Sequence, residues 1–359
     1  MAATPEPRAT TPATGEPLLR AVNLTRHFRL GGLFSKSALH AVDDFNITIQ
    51  EREIVALVGE SGSGKSTVAR LLARIYRPTR GEIFYRGRPV NRMRSRKDLL
   101  WYRGEVPIVL QDPFSAFHPV FRVSHGVMRN LALHRPELSH DERKHEAERA
   151  CEAVGLSPKM LTRFPYEMSG GERQRIGFAQ ALAVGPKLIL ADEPVSMLDV
   201  SIRIGVLNMM AGLRDREGVS ILYITHDLAS ARYVADRVVV MYAGHQVEAG
   251  PTETVLSDPK HPYTQLLMSA AADPREKEAE ISADTGDPPR VIDPSEGCRF
   301  RWRCPLAIEK CALVTPHLKP IGSTLVACHV ATGDTAAAPG AANPAGTANP
   351  AGTASVTNR

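Results

Sequence analysis

No stretch of this sequence approaches the roughly 18 uninterrupted apolar residues that a membrane-crossing helix needs. The N-terminus also lacks the basic, apolar and small-residue succession of a secretory leader. Both absences predict a cytosolic chain. Cysteine is scarce, five in 359 residues. In a reducing compartment those five are expected to be reduced or metal-bound rather than paired. An excess of one charge is missing too: 44 basic against 39 acidic residues leave a net charge of +5. That balance gives no electrostatic case for nucleic acid. What remains is an ordinary globular composition, 43% hydrophobic and 23% charged. The length suits one or two domains with a sizeable core.

The most informative stretch runs from Glu53 to Thr67, EIVALVGESGSGKST. Ile54 to Val58 is apolar and β-branched and reads as a buried strand. Gly59, Glu60, Ser61, Gly62, Ser63, Gly64, Lys65 and Ser66 match G-x-x-x-x-G-K-[ST], with Thr67 following. Val68 to Ile75 reads as a helix. Strand, loop and helix in that order are what a phosphate-binding loop requires. Glycines let backbone N–H groups turn inward around an anion. The helix starting near Lys65 aims its positive end at the same place. Lys65 is placed to reach β- and γ-phosphates, and the Ser66 hydroxyl to bind Mg²⁺. A plain Gly/Ser turn is the alternative, and the flanking strand and helix argue against it.

Along the chain, residues 1–17 read as a disordered tail rich in Ala, Thr, Pro and Glu. Strands are expected from Leu18 and over His40 to Ile49, with a break at Gly31 to Lys36. A hairpin turning at Arg86-Gly87 is expected over Gly81 to Val90. The basic segment Arg92 to Arg103 reads as a solvated helix face more than a nucleic-acid patch. Helices are expected over Asp141 to Val154 and Ser169 to Ala183. Strands are expected over Lys187 to Ala191, Val219 to Thr225 and Val238 to Met241. This alternation predicts a mostly parallel sheet in an α/β domain. Thr252 to Ala272 looks helical, Asp273 to Pro294 a linker. From Ala331 the chain is low in complexity, with NPAGTA at Asn343 repeated at Asn349.

Further candidates each have a bland alternative. Asp192 and Glu193 end an apolar strand, where a ligand crevice lies in such sheets. Asp192 would hold Mg²⁺ through water, and Glu193 would polarise an attacking water. Two solvated acids are the alternative. Ser169-Gly170-Gly171-Glu172 opens a helix and offers free N–H groups to an anion, or else Ser169 is an ordinary N-cap. Gln111 is a neutral oxygen ligand for metal or water. His226, just past a strand, reads first as structural, and Phe28 first as core.

Together these motifs resemble the ATP-binding subunit of ATP-binding-cassette transporters. The order is an aromatic loop (Phe28), Walker A (Gly59 to Thr67), a Q-loop (Gln111), the signature (Ser169 to Glu172), Walker B (Asp192, Glu193), a D-loop (Ser196 to Asp199) and a switch histidine (His226). The resemblance covers about Leu18 to Pro251. It departs at Met168, Glu172 and Met197. It implies a P-loop NTPase fold of the cassette type, with a RecA-like core, an antiparallel β subdomain and a helical subdomain. It implies ATP and Mg²⁺ as cofactors. Glu193, His226 and Gln111 would be catalytic, Phe28 would stack on adenine, and Asp199 would belong to the nucleotide sandwich. Two ATPase domains would close head to tail, each ATP lying between one Walker A and the other signature. The implied partners are two multi-spanning membrane permease subunits and a second ATP-binding subunit, a paralogue or another copy of this chain. A solute-binding protein would act indirectly, and nucleic acid is not a partner. The chain would sit peripherally on the cytoplasmic face of the membrane.

His261-Pro262-Tyr263-Thr264 and the cysteines Cys298, Cys304, Cys311 and Cys328 look like the extension of the dipeptide, oligopeptide and nickel importer subfamily. The expected division is then 18–251 for the ATPase, 252–330 for the extension, and 331–359 for a second disordered tail. Peptide import is the expected role and nickel import the alternative. Four thiolates suit a [4Fe–4S] cluster, a tetrahedral Zn²⁺ or free structural thiols. Cys151 lies apart and reads as a small core residue.

Overall fold

The computed structural model describes residues 15–31, 37–111, 117–272 and 291–335. Residues 1–14 and 336–359 of the expected tails and 273–290 of the linker fall outside them. Residues 331–335, expected to be disordered, are instead fastened to the extension: the Thr332 N–H donates to the Cys328 carbonyl (3.1 Å) and Lys319 pairs with Asp334 (2.8 Å). The chain opens with β1 (Leu19–Arg29), β2 (Ala38–Ile49), β3 (Ile54–Val58), helix α1 (Lys65–Leu72), β4 (Arg80–Tyr85) and β5 (Arg88–Pro89). Strands β2, β1, β4 and β5, in that order, form an antiparallel sheet. The β4–β5 turn falls at Arg86 and Gly87, both with positive φ (47° and 70°). That is the twist a two-residue hairpin needs.

Strand β3 joins a second sheet with β6 (Ile108–Val109), β7 (Leu188–Asp192), β8 (Ser220–Thr225), β9 (Arg237–Tyr242) and β10 (His245–Pro251). Its order continues β10-β9-β3-β8-β7-β6, and β9, β3, β8, β7 and β6 run parallel. Every residue of β3, β7 and β8 is buried. A parallel sheet covered on both faces explains why these strands read as unbroken apolar runs. The side-chain period of two divides β3 between two cores. Val55 and Leu57 pack with β1, β2 and α1, while Ile54, Ala56 and Val58 pack with the helices of the other face.

Those helices include α3 (Val123–His134), α4 (His140–Ala153), α5 (Gly170–Leu182), α6 (Val200–Arg216) and α7 (Leu228–Val234), whereas α2 (Arg96–Glu105) packs its buried Tyr102 with the Val55 and Leu57 side. Helix α4 begins with a reciprocal Ser139–Glu142 capping box. It buries Ala147, Ala150 and Cys151, so Cys151 is the small core residue expected. Arg92, Arg94, Arg96 and Lys97 are all exposed, as a solvated face should be.

Several elements differ from the sequence reading. Helix α1 starts at Lys65 and stops at Leu72, not Ile75, because Arg74 turns left-handed (φ 56°). The single helix expected over Thr252 to Ala272 is two, α8 (Thr252–Ser257) and α9 (Pro262–Ala272). Pro259 and Pro262 both bar a continuous helix, since neither has an N–H to donate. Helices α3, α6 and α7 and strand β10 were not anticipated. Helix α6 shows why: its buried residues crowd its C-terminal half, and Val200 and Ile204 on its first turns are exposed. That leaves no even apolar stripe to detect.

The C-terminal segment packs onto the core. After a short helix α10 (Glu309–Leu313), the hairpin β11 (Lys319–Ile321) and β12 (Thr324–Val326) pairs antiparallel with β10, placing Glu248 opposite Val326. It therefore extends the main sheet. Residues 291–293, read as part of the linker, lie against β2: His40 N–H donates to the Val291 carbonyl (2.8 Å) and Leu39 bridges Ile292.

Candidate active site

Four neighbouring parallel strands deliver the candidate residues to one edge of the sheet. Gln111 follows β6, Asp192 and Glu193 end β7, His226 follows β8, and the Gly59–Thr67 loop follows β3. The carboxyl ends of parallel strands form the crevice where ligands bind in such sheets. Residues 82 and 33 positions away from Glu193 thereby meet it. The Gln111 Nε2 donates to Glu193 Oε2 at 3.0 Å. His226 Nδ1 lies 3.5 Å from the same oxygen. Glu193 itself holds a left-handed backbone (φ 47°), and its N–H donates to the Ile224 carbonyl at 3.0 Å. A non-glycine residue in that region is uncommon and is held there by its surroundings.

The glycine loop has no room for side chains at two points. A Cβ on Gly59 would lie 2.1 Å from the Met241 carbonyl oxygen, and one on Gly64 2.3 Å from the Ala41 carbonyl oxygen. Gly64 also has φ 102° at the N-cap of α1. Lys65 is buried, and its ammonium donates to the carbonyls of Gly59 (2.7 Å) and Glu60 (2.8 Å). Burial pulls its pKa down, opposed by the charges of Glu193, Asp192 and Glu60. The Ser66 hydroxyl donates to Asp192 Oδ1 at 2.9 Å. The two oxygens expected at Mg²⁺ are thus together. Burial raises the Asp192 pKa, and the Ser66 hydrogen bond opposes it. A dication beside this carboxylate would favour its ionised form.

Phe28 is half-buried, not core. The Arg26 guanidinium lies 4.5 Å from its ring centroid, and Tyr76 meets it edge-on at 5.4 Å. A second aromatic and a cation thus surround the ring expected to stack on a base.

Ser169 caps α5 and forms a capping box with Glu172. The Glu172 carboxylate accepts the Ser169 N–H (2.8 Å) and hydroxyl (2.9 Å), which hold its pKa below the usual range. The departure from the Gln common in the resembling motif therefore keeps a working acceptor, since both residues offer an oxygen at that position. A Cβ on Gly170 would touch Leu198 at 3.3 Å and one on Gly171 would strike Ile202 at 2.5 Å, so this turn packs against the Ser196–Asp199 segment and α6. Asp199 occupies the N-cap of α6, without a side-chain cap bond. Met197 beside it is 63% exposed. Ser169 to Glu172 and Asp199 thus form one cluster, and Lys65, Ser66, Asp192, Glu193, Gln111 and His226 another.

Sequence reasoning missed residues that the C-terminal segment brings to the loop. Tyr263 is fully buried, and its hydroxyl accepts the Glu60 N–H at 2.9 Å. Arg303 binds both Glu60 carboxylate oxygens, at 2.9 and 3.2 Å. The acid inside an anion-binding loop was the available signal, because a carboxylate there calls for a counter-charge.

The chemistry this arrangement supports is nucleotide phosphate binding and water activation by a phosphate-loop ATPase. Comparison with known proteins agrees. Residues 42–196 match the family described as ABC transporter, and residues 247–311 match "Oligopeptide/dipeptide transporter, C-terminal region". A probable peptide ABC transporter ATP-binding protein of Sinorhizobium fredii is 40% identical over 320 residues, covering 87% of this chain and 90% of that one. A putative oligopeptide transport ATP-binding protein of Bacillus subtilis is 39% identical, covering 88% of this chain and 95% of that one. A dipeptide transport ATP-binding protein of Haemophilus influenzae is also 39% identical, over 87% of this chain and 96% of that one. Among solved structures, a dimeric ATP-binding cassette bound to ADP and phosphate superposes with a TM-score of 0.58 at 26% identity, covering 65% of this chain and 98% of that one. CbiO1 of Clostridium perfringens, part of the ABC transporter complex cbiONQ, shares the fold, with a TM-score of 0.59 at 23% identity, over 74% of this chain and 99% of that one.

The chain belongs to the ATP-binding subunits of ABC transporters, in the group carrying the oligopeptide/dipeptide C-terminal region. It is an ATPase using ATP and Mg²⁺, and membership implies membrane permease subunits and a pair of ATPase domains. Among the described residues, no helix is long and apolar enough to cross a membrane.

Proposed function

We propose that this chain energises the import of short peptides by hydrolysing ATP at the edge of β6, β7, β8 and β3. The observation that carries the catalytic part is the convergence of Gln111 and His226 on the Glu193 carboxylate beside the glycine loop. In this reading Glu193 polarises the attacking water and His226 senses the γ-phosphate. Gln111 links that centre to the permease. Lys65 binds the β- and γ-phosphates, Ser66 and Asp192 hold Mg²⁺, and Phe28 stacks on the adenine. Ser169 to Glu172 and Asp199 serve the ATP bound to the facing subunit in the same reading. Residues 18–251 act as the ATPase and 252–330 as the extension. The chain acts on the cytoplasmic face with two permeases and a paralogous ATPase, fed by a solute-binding protein.

Peptide cargo rests on the peptide, oligopeptide and dipeptide transport names of the relatives. Uptake of labelled dipeptide, longer peptide and Ni²⁺ in cells deleted for the chain tests it. Peptide uptake should fall and return only with the wild type. A selective loss of nickel uptake would replace peptide by nickel.

The four cysteines support a metal role as well. All four line one cavity with Phe300, Leu306 and His329. Burial pushes the thiols of Cys298 and Cys304 up, so they stay protonated unless a cation replaces the proton. A zinc at about 2.3 Å from each sulfur would place the sulfurs about 3.8 Å apart. Among the described residues, only His27, His40 and Asp43 bring three such ligand atoms within 4.8 Å of one another. Of the candidate occupants of this cavity, a [4Fe–4S] cluster is the one proposed, with Zn²⁺ or free structural thiols as the alternatives. Protein purified without oxygen should carry iron and acid-labile sulfide in equal amounts. Stoichiometric zinc, or neither, would overturn the cluster.

A further inference from the structure

The 298–304 segment of the extension touches the phosphate loop through Arg303 and reaches its other side only through the turn between β9 and β10. Arg303 closes a bidentate pair on Glu60, the second residue of the loop, and is itself nearly buried, its side chain 10% exposed. Its guanidinium lies 5.7 Å from the Tyr242 ring centroid, and Tyr242, Tyr263 and Phe300 pack mutually at 4.6 to 5.5 Å. Tyr263, in that cluster, accepts the Glu60 N–H. On the other side, Arg299 donates to the Ala243 carbonyl and to Asp43 Oδ2, both at 2.5 Å. The adjoining Gly244 N–H donates to the carbonyl of Ser63, the loop's fifth residue, at 2.9 Å. Cys298 and Cys304, which line the four-cysteine cavity, bracket both arginines.

The loop has an electrostatic problem. It must gather anionic phosphates, yet it contains a carboxylate close enough to act on Lys65. An unpaired acid there would repel the ligand that the loop and the start of α1 attract. A planar fork matched to a carboxylate cancels that charge and fixes its direction.

We propose that Arg303 is a positioning residue of the ATPase site: it neutralises and holds Glu60 so that the phosphate loop accepts nucleotide, and thereby couples the four-cysteine segment to ATP affinity. This rests on the reading of Gly59 to Thr67 as the nucleotide site. Arg303 touches no reacting atom in this scheme. It acts on binding and not on the chemical step.

The test uses the full-length chain, a fluorescent ATP analogue with Mg²⁺ for affinity, and the assembled transporter for kcat and KM. Arg303→Gln strands the Glu60 charge, and should raise Kd and KM for ATP roughly tenfold while kcat stays within about twofold. Glu60→Gln in the same chain removes the stranded charge, so Glu60→Gln/Arg303→Gln should regain most of the affinity. Trp302→Ala, 81% exposed on the same turn, should change neither quantity. A purely structural Arg303 would give equal losses in the single and the double variant, which overturns the proposal. So does an unchanged KM in a folded Arg303→Gln chain. If Arg303→Gln fails to fold, Arg303→Lys replaces it. It keeps the charge but loses the fork, and an affinity loss that Glu60→Gln does not relieve counts against the proposal. Lys65→Ala separates the two layers. Retained nucleotide binding in Lys65→Ala overturns the site itself, whereas lost binding with a normal Arg303→Gln overturns only the role of Arg303.

Discussion

Glu193→Gln is expected to leave ATP binding intact and to cut turnover by the assembled transporter at least about a hundredfold, the usual yield of a positioned general base. The amide keeps the shape of the carboxylate but cannot draw a proton from water. It also keeps an oxygen that can accept the Gln111 Nε2, now 3.0 Å from Glu193 Oε2. The backbone at Glu193 should not relax, since its N–H remains tied to the Ile224 carbonyl. The variant should therefore stall with ATP bound and accumulate as a closed pair of ATPase subunits. Size-exclusion chromatography with ATP and a single-turnover assay would show both effects. Turnover near the wild-type rate would remove Glu193 from the mechanism and leave the crevice without a base.

Glu248→Ala is expected to cost about 3 kcal/mol of stability, a large share of what holds a domain together. Glu248 is fully buried on β10. Its two carboxylate oxygens accept the N–H groups of Lys260 (2.9 Å) and His261 (3.0 Å), just ahead of α9. Alanine leaves both amides without their acceptor and opens a cavity. His261 continues the arrangement, because its Nδ1 accepts the Tyr263 N–H at 3.0 Å. Burial holds the His261 pKa down at about 3, so the ring is neutral and able to accept. Chemical denaturation would measure the loss, and hydrogen exchange at residues 260–263 would locate it. Glu248→Gln keeps one acceptor oxygen and should lose less. An unaltered melting curve for Glu248→Ala would mean that this segment contributes nothing to the folded unit.

The Met197 and Glu172 departures from the resembling motifs have different weights. Glu172 retains its capping bonds to Ser169. Met197 is exposed, and so is Val200 at the start of α6 (71%). Such exposed apolar residues are consistent with a surface awaiting a second subunit.

The phosphate loop was legible from the sequence because its chemistry is local. Glycine spacing, one lysine, one hydroxyl and their flanking strand and helix all fall within fifteen consecutive residues, Glu53 to Thr67. The buried parallel strands were legible for a similar reason, since burial on both faces leaves unbroken apolar runs. Helix α6 was not, because its buried residues crowd its C-terminal half and tertiary packing supplies its stability. Helix α3 does carry a regular stripe, Val123, Val127 and Leu131 at four-residue spacing, which sequence reasoning missed. The meeting of Gln111, Glu193 and His226 was decided by strand order, β6 beside β7 beside β8, which brings three distant segments to one edge. The grip of Tyr263 and Arg303 on Glu60 was decided at still longer range. Arg303 lies 243 positions from its partner, and only the folding of the C-terminal segment back onto β9 and β10 brings them together. Local backbone chemistry writes itself into neighbouring residues, whereas a pairing made by sheet order and docking leaves no fixed spacing in the chain.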